Sequence, residues 1–172
     1  MNIDKTKNLL KKYHEECFRW ATYCCSGNQT VSRDIMQNVY LKVLEGEATY
    51  RENSDASFRT WIFSVIKFTC LDYFRSEKKY QLDTELPVAD FNCPEDENQP
   101  YENDRGKLLK DMLKKLSPKQ NEVLRLVFYH NLTIEEASGV MGVSVGTSRT
   151  HYERGKANLK KMIESQDLKT KS

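Results

Sequence analysis

No stretch of the 172 residues approaches the roughly 18 uninterrupted apolar residues that a membrane-spanning helix requires. The first 12 residues are too charged for a signal peptide, so a cytoplasmic chain with no membrane insertion is expected. Glycine (7) and proline (4) are scarce, which excludes collagen-like and low-complexity architectures and favours helices. Five cysteines, an odd number without a repeating frame, exclude a disulfide scaffold in that compartment. His14, Cys17, Cys24 and Cys25 fall on nearby turns of one helix, but ligands strung along a single helix rarely converge tetrahedrally, so no metal is expected. A phosphate loop, a Ser/His/Asp set with local signatures and a carboxylate pair beside a histidine are all missing. Neither catalysis nor a cofactor is therefore expected.

The most informative absence is local. Residues 81–104 contain no lysine or arginine against 8 acidic residues, and three of the four prolines. Residues 1–80 carry 13 basic and 10 acidic residues, and residues 105–172 carry 14 and 7. The formal net charge of +2 thus conceals two basic parts and an acidic join, an asymmetry that suits a polyanionic partner. The fold expected is all-α: two small helical domains, 1–80 and 105–172, joined by a flexible acidic linker at 81–104.

In the first domain, apolar residues recur at steps of three and four from Leu9 to Cys24, the period of one helical face. Gly27 and Asn28 break that helix, and Ser32 is expected to cap a second one whose inward residues are Ile35, Met36, Val39, Tyr40, Val43 and Leu44. A polar loop over 46–57 ends at Ser57, the expected cap of a third helix running to about Lys79. Phe58, Trp61, Ile62, Val65, Ile66, Thr69 and Leu71 to Tyr73 lie on or near its one broad face, the one expected to pack in the core.

In the second domain, Leu108, Leu109, Met112, Leu113 and Leu116 make one stripe, and Ser117-Pro118 opens a helix expected to reach His130 with Val123, Leu124, Leu126, Val127 and Phe128. Thr133-Ile134-Glu135-Glu136 is a capping box. The short helix after it meets Gly142, a left-handed stop, and Ser144 caps a longer basic helix from Val145 to about Ser165. A short helix, a Gly-hydrophobe-Ser turn and a basic helix make the helix-turn-helix layout, whose second helix enters the major groove of DNA. Ser144, Val145, Thr147, Ser148, Arg149 and His151 are the early residues expected at base edges. Arg154 and Lys156 extend the basic surface toward phosphates, with Lys160 and Lys161 beyond.

From about Lys5 to Ile163 the chain resembles bacterial RNA polymerase sigma factors of the extracytoplasmic-function (ECF) group. The segments that carry the likeness are LSPKQNEVL and GVSVGTSRTHYERGKANL in the second domain, with RDIMQNVYLKVL (33–44) and FRTWIFSVIKFTCLDYFRSEKK (58–79) in the first. The resemblance implies a factor that binds core RNA polymerase and reads the −10 and −35 elements of promoter DNA under the control of an anti-sigma protein. Asp34, Gln37, Asn38 and Tyr40 would then dock on the polymerase clamp. Tyr50, Arg51, Arg59, Lys67, Phe68 and Arg75 would melt and hold the −10 strand by stacking and phosphate contact. The helix-turn-helix residues would read the −35 element, and the acidic join would thread toward the basic RNA exit path.

Family members commonly carry Asn where Phe68 stands, a larger aliphatic at Ala137, Ala at Ser138 and a branched apolar residue at Ser148. These departures imply altered base preference and looser packing between the two motif helices. The competing reading is an autonomous helix-turn-helix regulator whose N-terminal domain dimerises or senses a signal, with Leu108 to Leu116 as a dimer seam.

Overall fold

The computed structural model describes residues 3–52, 56–80 and 104–170. Among them all regular structure is helical: α1 Ile3–Cys24, α2 Gln29–Leu44, α3 Phe58–Tyr80, α4 Asp104–Lys114, α5 Pro118–Leu124 with a π-helical turn Arg125–Tyr129, α6 Ile134–Met141 and α7 Val145–Thr170. The chain forms two compact units, divided between Glu95 and Asp96. Residues 81–103, which include nearly all of the expected linker, lie outside the described residues.

In the N-terminal unit, α1, α2 and α3 pack against one another in all three pairings. Trp20, Ile35, Val39, Ile62, Phe63 and Ile66 are inaccessible to solvent, each contributing about 1.5–3 kcal/mol of burial. The rings of Trp20 and Phe63 stack at 5.7 Å between centroids, and Trp20 Nε1 donates to the Phe63 carbonyl at 3.0 Å. That bond satisfies the one polar atom of the largest core side chain, so α1 and α3 are tied at a fixed register.

Two local expectations are corrected. Asn28, not Ser32, caps α2: its side chain accepts from the Val31 N–H, and the helix begins earlier than expected, at Gln29. Ser26 (φ 51°) and Gly27 (φ 87°) both take left-handed backbone, which reverses the chain within a few residues and brings Asn28 to the cap position. Ser32 is instead buried, its hydroxyl donating to the Asn28 carbonyl at 2.7 Å. On α3, Phe63 and Cys70 are buried while Trp61 and Val65 are only half-buried, because α3 meets both α1 and α2 and so buries a wider arc than one stripe.

In the C-terminal unit, α5 and α6 both pack on α7. Ser117 caps α5, accepting from the Gln120 N–H at 3.4 Å, with Pro118 in the first turn. The expected continuous helix to His130 instead widens: the His130 N–H donates to the Arg125 carbonyl, five residues back. A wider turn rotates the side chains beyond it, so Leu126 stays buried but Phe128, expected inside, is 62% exposed. Asn131 (φ 50°) then turns the chain toward α6.

The motif itself forms as its turn residues dictate. The Thr133 hydroxyl accepts from the Glu136 N–H at 3.1 Å, and Glu136 Oε2 accepts from the Thr133 N–H at 2.9 Å. Gly142 closes α6 at φ 67°, and Ser144 Oγ accepts from the Thr147 N–H at 3.1 Å to start α7. Gly155 allows α7 to approach α5 closely: a Cβ there would stand 2.9 Å from Leu124 Cδ1.

Candidate polymerase and promoter interfaces

On α2 the buried residues Ile35, Met36, Val39 and Val43 turn one side to the core, which leaves Arg33, Asp34, Gln37, Asn38 and Leu41 exposed on the other. Asp34, Gln37 and Asn38 are thus available together. Tyr40 is half-buried at the flank of that strip, its hydroxyl hydrogen-bonded to His14 Nδ1 of α1 at 2.7 Å. Burial, reinforced by neighbouring Cys17 and Glu15, pushes the Tyr40 phenol up to about 12, so it stays neutral. Leu41, 53% exposed, belongs to the same strip and is absent from the residues expected there. Its signal was present, since Leu41 lies one turn beyond Gln37 and Asn38 on the outward face.

The residues expected at the −10 strand fall into two groups. Arg51, Phe68 and Arg75 are exposed, with Phe68 half accessible and Arg75 only loosely paired to Asp72 at 3.7 Å. The others are engaged within the unit. Tyr50 packs its ring against Phe58 and Trp61 at 5.4 and 5.5 Å, and its hydroxyl donates to the Ala56 carbonyl, pinning the two ends of the intervening loop. Arg59 is ion-paired to Glu16 of α1 at 2.9 Å and lies over the Phe63 ring. Lys67 is 6% exposed, which removes it from the outer surface of α3; its expected contact with the strand is not available in this structure. Close beside Arg51, Glu52 is held below the usual carboxylate range by its hydrogen bond to Lys5, 2.8 Å away, a contact that fastens the loop to α1.

On α7, a period of 3.6 residues sorts the expected readers by direction. Ser148 and Gly155 point inward and are buried. Ser148 is fully inaccessible, its hydroxyl against the Met141 sulfur at 3.8 Å, so it packs α7 on α6 and is corrected from base reader to interhelix contact. Val145, Arg149 and Lys156 lie along one flank, and Thr147, His151 and Arg154 along the other. Ser144 is exposed at the start. Between the flanks, on the outermost line, stand Gly146 and Thr150, both exposed. Thr150 is absent from the expected readers; counting four residues on from Gly146, away from buried Ser148, finds it.

Two of the basic residues are partly occupied. Lys156 lies 3.2 Å from Glu153 and 4.5 Å above the Tyr152 ring, which in turn stacks on Phe128 at 5.8 Å. Arg149 Nη2 lies 3.4 Å from Glu135 of α6. Arg154 is exposed to solvent, one helical turn beyond Thr150.

Among the described residues no helix is long and apolar enough to cross a membrane, and no group of His, Cys, Asp or Glu is arranged to hold a metal ion. Cys17, Cys24, Cys25 and Cys70 are all buried thiols, with Cys25 and Cys70 sulfurs 3.7 Å apart.

The sigma-70 region 2 model matches residues 9–80 and the sigma-70 region 4 model matches residues 107–159. The RNA polymerase sigma factor YlaC of Bacillus subtilis is 26% identical over 162 residues, covering 92% of this chain and 91% of the relative. The RNA polymerase sigma-E factor of Streptomyces coelicolor is 31% identical over 138 residues, 80% of this chain and 74% of the relative. The ECF RNA polymerase sigma factor SigW of Bacillus subtilis is 25% identical, covering 88% and 83%. The fold is similar to that of the sigma factor RpoE from Bartonella quintana, solved with the anti-sigma factor NepR, at TM-score 0.68 and 16% identity over 93% of this chain and 97% of that one. The two matched regions stand in order, one in each unit, and the chain belongs to the RNA polymerase sigma factors of the extracytoplasmic-function group.

Proposed function

We propose that this sigma factor docks on the polymerase clamp through Asp34, Gln37, Asn38 and Leu41, with Tyr40 at the edge of the patch. The −10 strand is held by Arg51, Phe68 and Arg75, and Arg59 joins them if it exchanges Glu16 for a phosphate. The −35 element is read by Thr147, Arg149, Thr150, His151 and Arg154 of α7, with Ser144 and Val145 at the groove entrance and Lys156 toward the phosphates.

The observation that carries this reading is the direction of α7. Its buried line, Ser148 and Gly155, faces α5 and α6, which leaves Gly146 and Thr150 outermost with arginines on both flanks. A backbone thinned by Gly146 can sit deep in a major groove, while Arg149 and Arg154 can pair with guanine edges or phosphates.

An anti-sigma protein covering these faces would keep the factor idle, and a cytoplasmic setting follows from its polymerase partner. Run-off transcription with core polymerase tests the reading. Specific initiation should appear only when the protein is added, with weak binding of the free protein to promoter duplex. Tight duplex binding with no effect on core enzyme would instead mark an autonomous regulator.

A further inference from the structure

Glu135 is an acidic residue beside a surface assigned to an anionic ligand, and its carboxylate takes no part in the capping box of α6. Its neighbour Glu136 closes that box. Glu135 instead projects across to α7, where its Oε1 lies 3.4 Å from Arg149 Nη2. The two side chains are 60% and 62% exposed, so burial does not drive them together.

The contact uses one guanidinium nitrogen. The fork has five N–H donors, enough to keep this contact and still pair in a bidentate manner with guanine O6 and N7. An arginine tethered at one corner also loses fewer rotamers when it meets a base, because part of the side-chain entropy of its long flexible stem is already spent. Against this, a carboxylate near the phosphate backbone weakens attraction to any DNA sequence. Glu135 therefore trades general affinity for orientation.

From this geometry we propose that Glu135 is a positioning residue for −35 selection: it holds the Arg149 guanidinium in the orientation that discriminates bases and penalises indiscriminate contact with DNA. This rests on the assignment of α7 to the −35 element.

The test is transcription by holoenzyme, assembled from core polymerase and the full chain, on a cognate promoter and on variants at each −35 position. The chain carries Glu135→Gln, Glu135→Ala, Arg149→Ala or the double substitution. Arg149→Ala should flatten the preference at one or two positions. Glu135→Ala should lower discrimination at those same positions by about two- to fivefold, the range expected of an exposed ion pair, while raising binding to non-cognate DNA. Glu135→Gln, which keeps the shape but not the charge, should fall between. In the double variant Glu135→Ala should add no further loss.

A merely structural role would lower output on all promoters without changing their ranking, and that result overturns the proposal. Unchanged discrimination in Glu135→Ala, with Arg149→Ala still effective, overturns the proposal alone. Additive losses in the double variant also overturn it, because Glu135 would then read a base by itself. If Arg149→Ala leaves −35 preference intact, the assignment of that residue to the element fails together with the proposal.

Discussion

The N-terminal unit closes around Trp20, Phe58 and Phe63 with Ile35, Ile62 and Ile66 beside them, whereas the buried hydrophobic residues of the C-terminal unit, from Met112 to Met141 among the described residues, include no aromatic. The second unit buries Asn121, Glu122, His130, Ser138 and Ser148 alongside its aliphatics. Its geometry is set instead by local devices: the Ser117 and Ser144 caps, the Thr133 box, the left-handed Gly142 and the close approach at Gly155. One unit is specified by buried area and the other by turn chemistry. That contrast suits the tasks proposed for them, since a strand-melting surface needs a rigid floor under its aromatic and basic groups, while a groove reader needs two helices at a fixed angle with little bulk.

Truncating the aromatic core should separate the units most strongly. Trp20→Ala removes a fully buried ring, its stacking on Phe63 and a buried hydrogen bond, a loss of about 3–5 kcal/mol. Both tryptophans, Trp20 and Trp61, lie in the N-terminal unit, so in the variant the remaining Trp61 fluorescence follows that unit alone. Urea should unfold the fluorescent phase early while part of the helical circular dichroism persists to higher concentration. A single transition shifted as a whole would show that the two units unfold as one.

Alkaline pH should act on the same side of the comparison. Burial, helped by the Glu16 charge and opposed by Arg59, pushes the Cys17 thiol from 9.0 up to about 12. Cys25 is also raised, first by its hydrogen bond with Cys70 and then by burial, and Cys70 is raised first by its hydrogen bond with Cys24, opposed by the one with Cys25, and then by burial. A raised pKa means that the folded unit retains protons that the unfolded chain releases. Its contribution is therefore complete below about pH 9 and is lost as pH climbs toward 12, at about 1.4 kcal/mol per pH unit for one thiol. No cysteine occurs in residues 105–172, so the C-terminal unit is the internal control. Fluorescence-detected stability should fall as pH rises from about 9 toward 12 more steeply than the helical signal of the second unit; parallel losses would contradict the thiol origin.

Gly155→Ala attacks the second unit by its own logic. The added methyl would meet Leu124 Cδ1 at 2.9 Å and Gln120 Cβ at 3.3 Å, so the Leu124 side chain must give way or α5 and α7 move apart. A loss of about 1–3 kcal/mol is expected, confined to the phase that tryptophan does not report. Because α7 would tilt as a unit, −35 recognition should weaken without a change at the −10 element. Equal defects at both elements would mean that Gly155 affects polymerase docking instead.

Turn chemistry is also why the second unit is the more legible in the sequence. The capping box, Gly142 and Ser144 each act within four residues, and all form as expected. Departures arise where the deciding interaction is distant or where two local signals compete. Ser32 resembles a cap, but two left-handed residues at Ser26 and Gly27 bring Asn28 into that position first. The π-helical turn at Arg125–Tyr129 has no signature in residue type, and it moves Phe128 from core to surface. For the site, exposure divides the expected residues in a way that charge alone cannot. Lys67 and Arg75 are both basic, yet only Arg75 reaches solvent, because α3 buries a wider arc in its middle than near its end.

The smallest expected effect is the one that separates packing from reading most sharply. Ser148 places a hydroxyl in a fully buried position against a thioether at 3.8 Å, a weak acceptor. Ser148→Ala removes that poorly compensated group at little cost in volume, so stability of the C-terminal unit should be unchanged or rise by up to about 1 kcal/mol. Promoter preference should stay the same, since the side chain faces Met141 and not the groove. Thr150→Ala, one turn from Gly146 on the exposed line, should do the reverse and alter −35 preference with stability intact. If Ser148→Ala instead shifted base preference, α7 would have to rotate on DNA, and the direction of that helix, rather than its composition, would be the part of the promoter reading to revise.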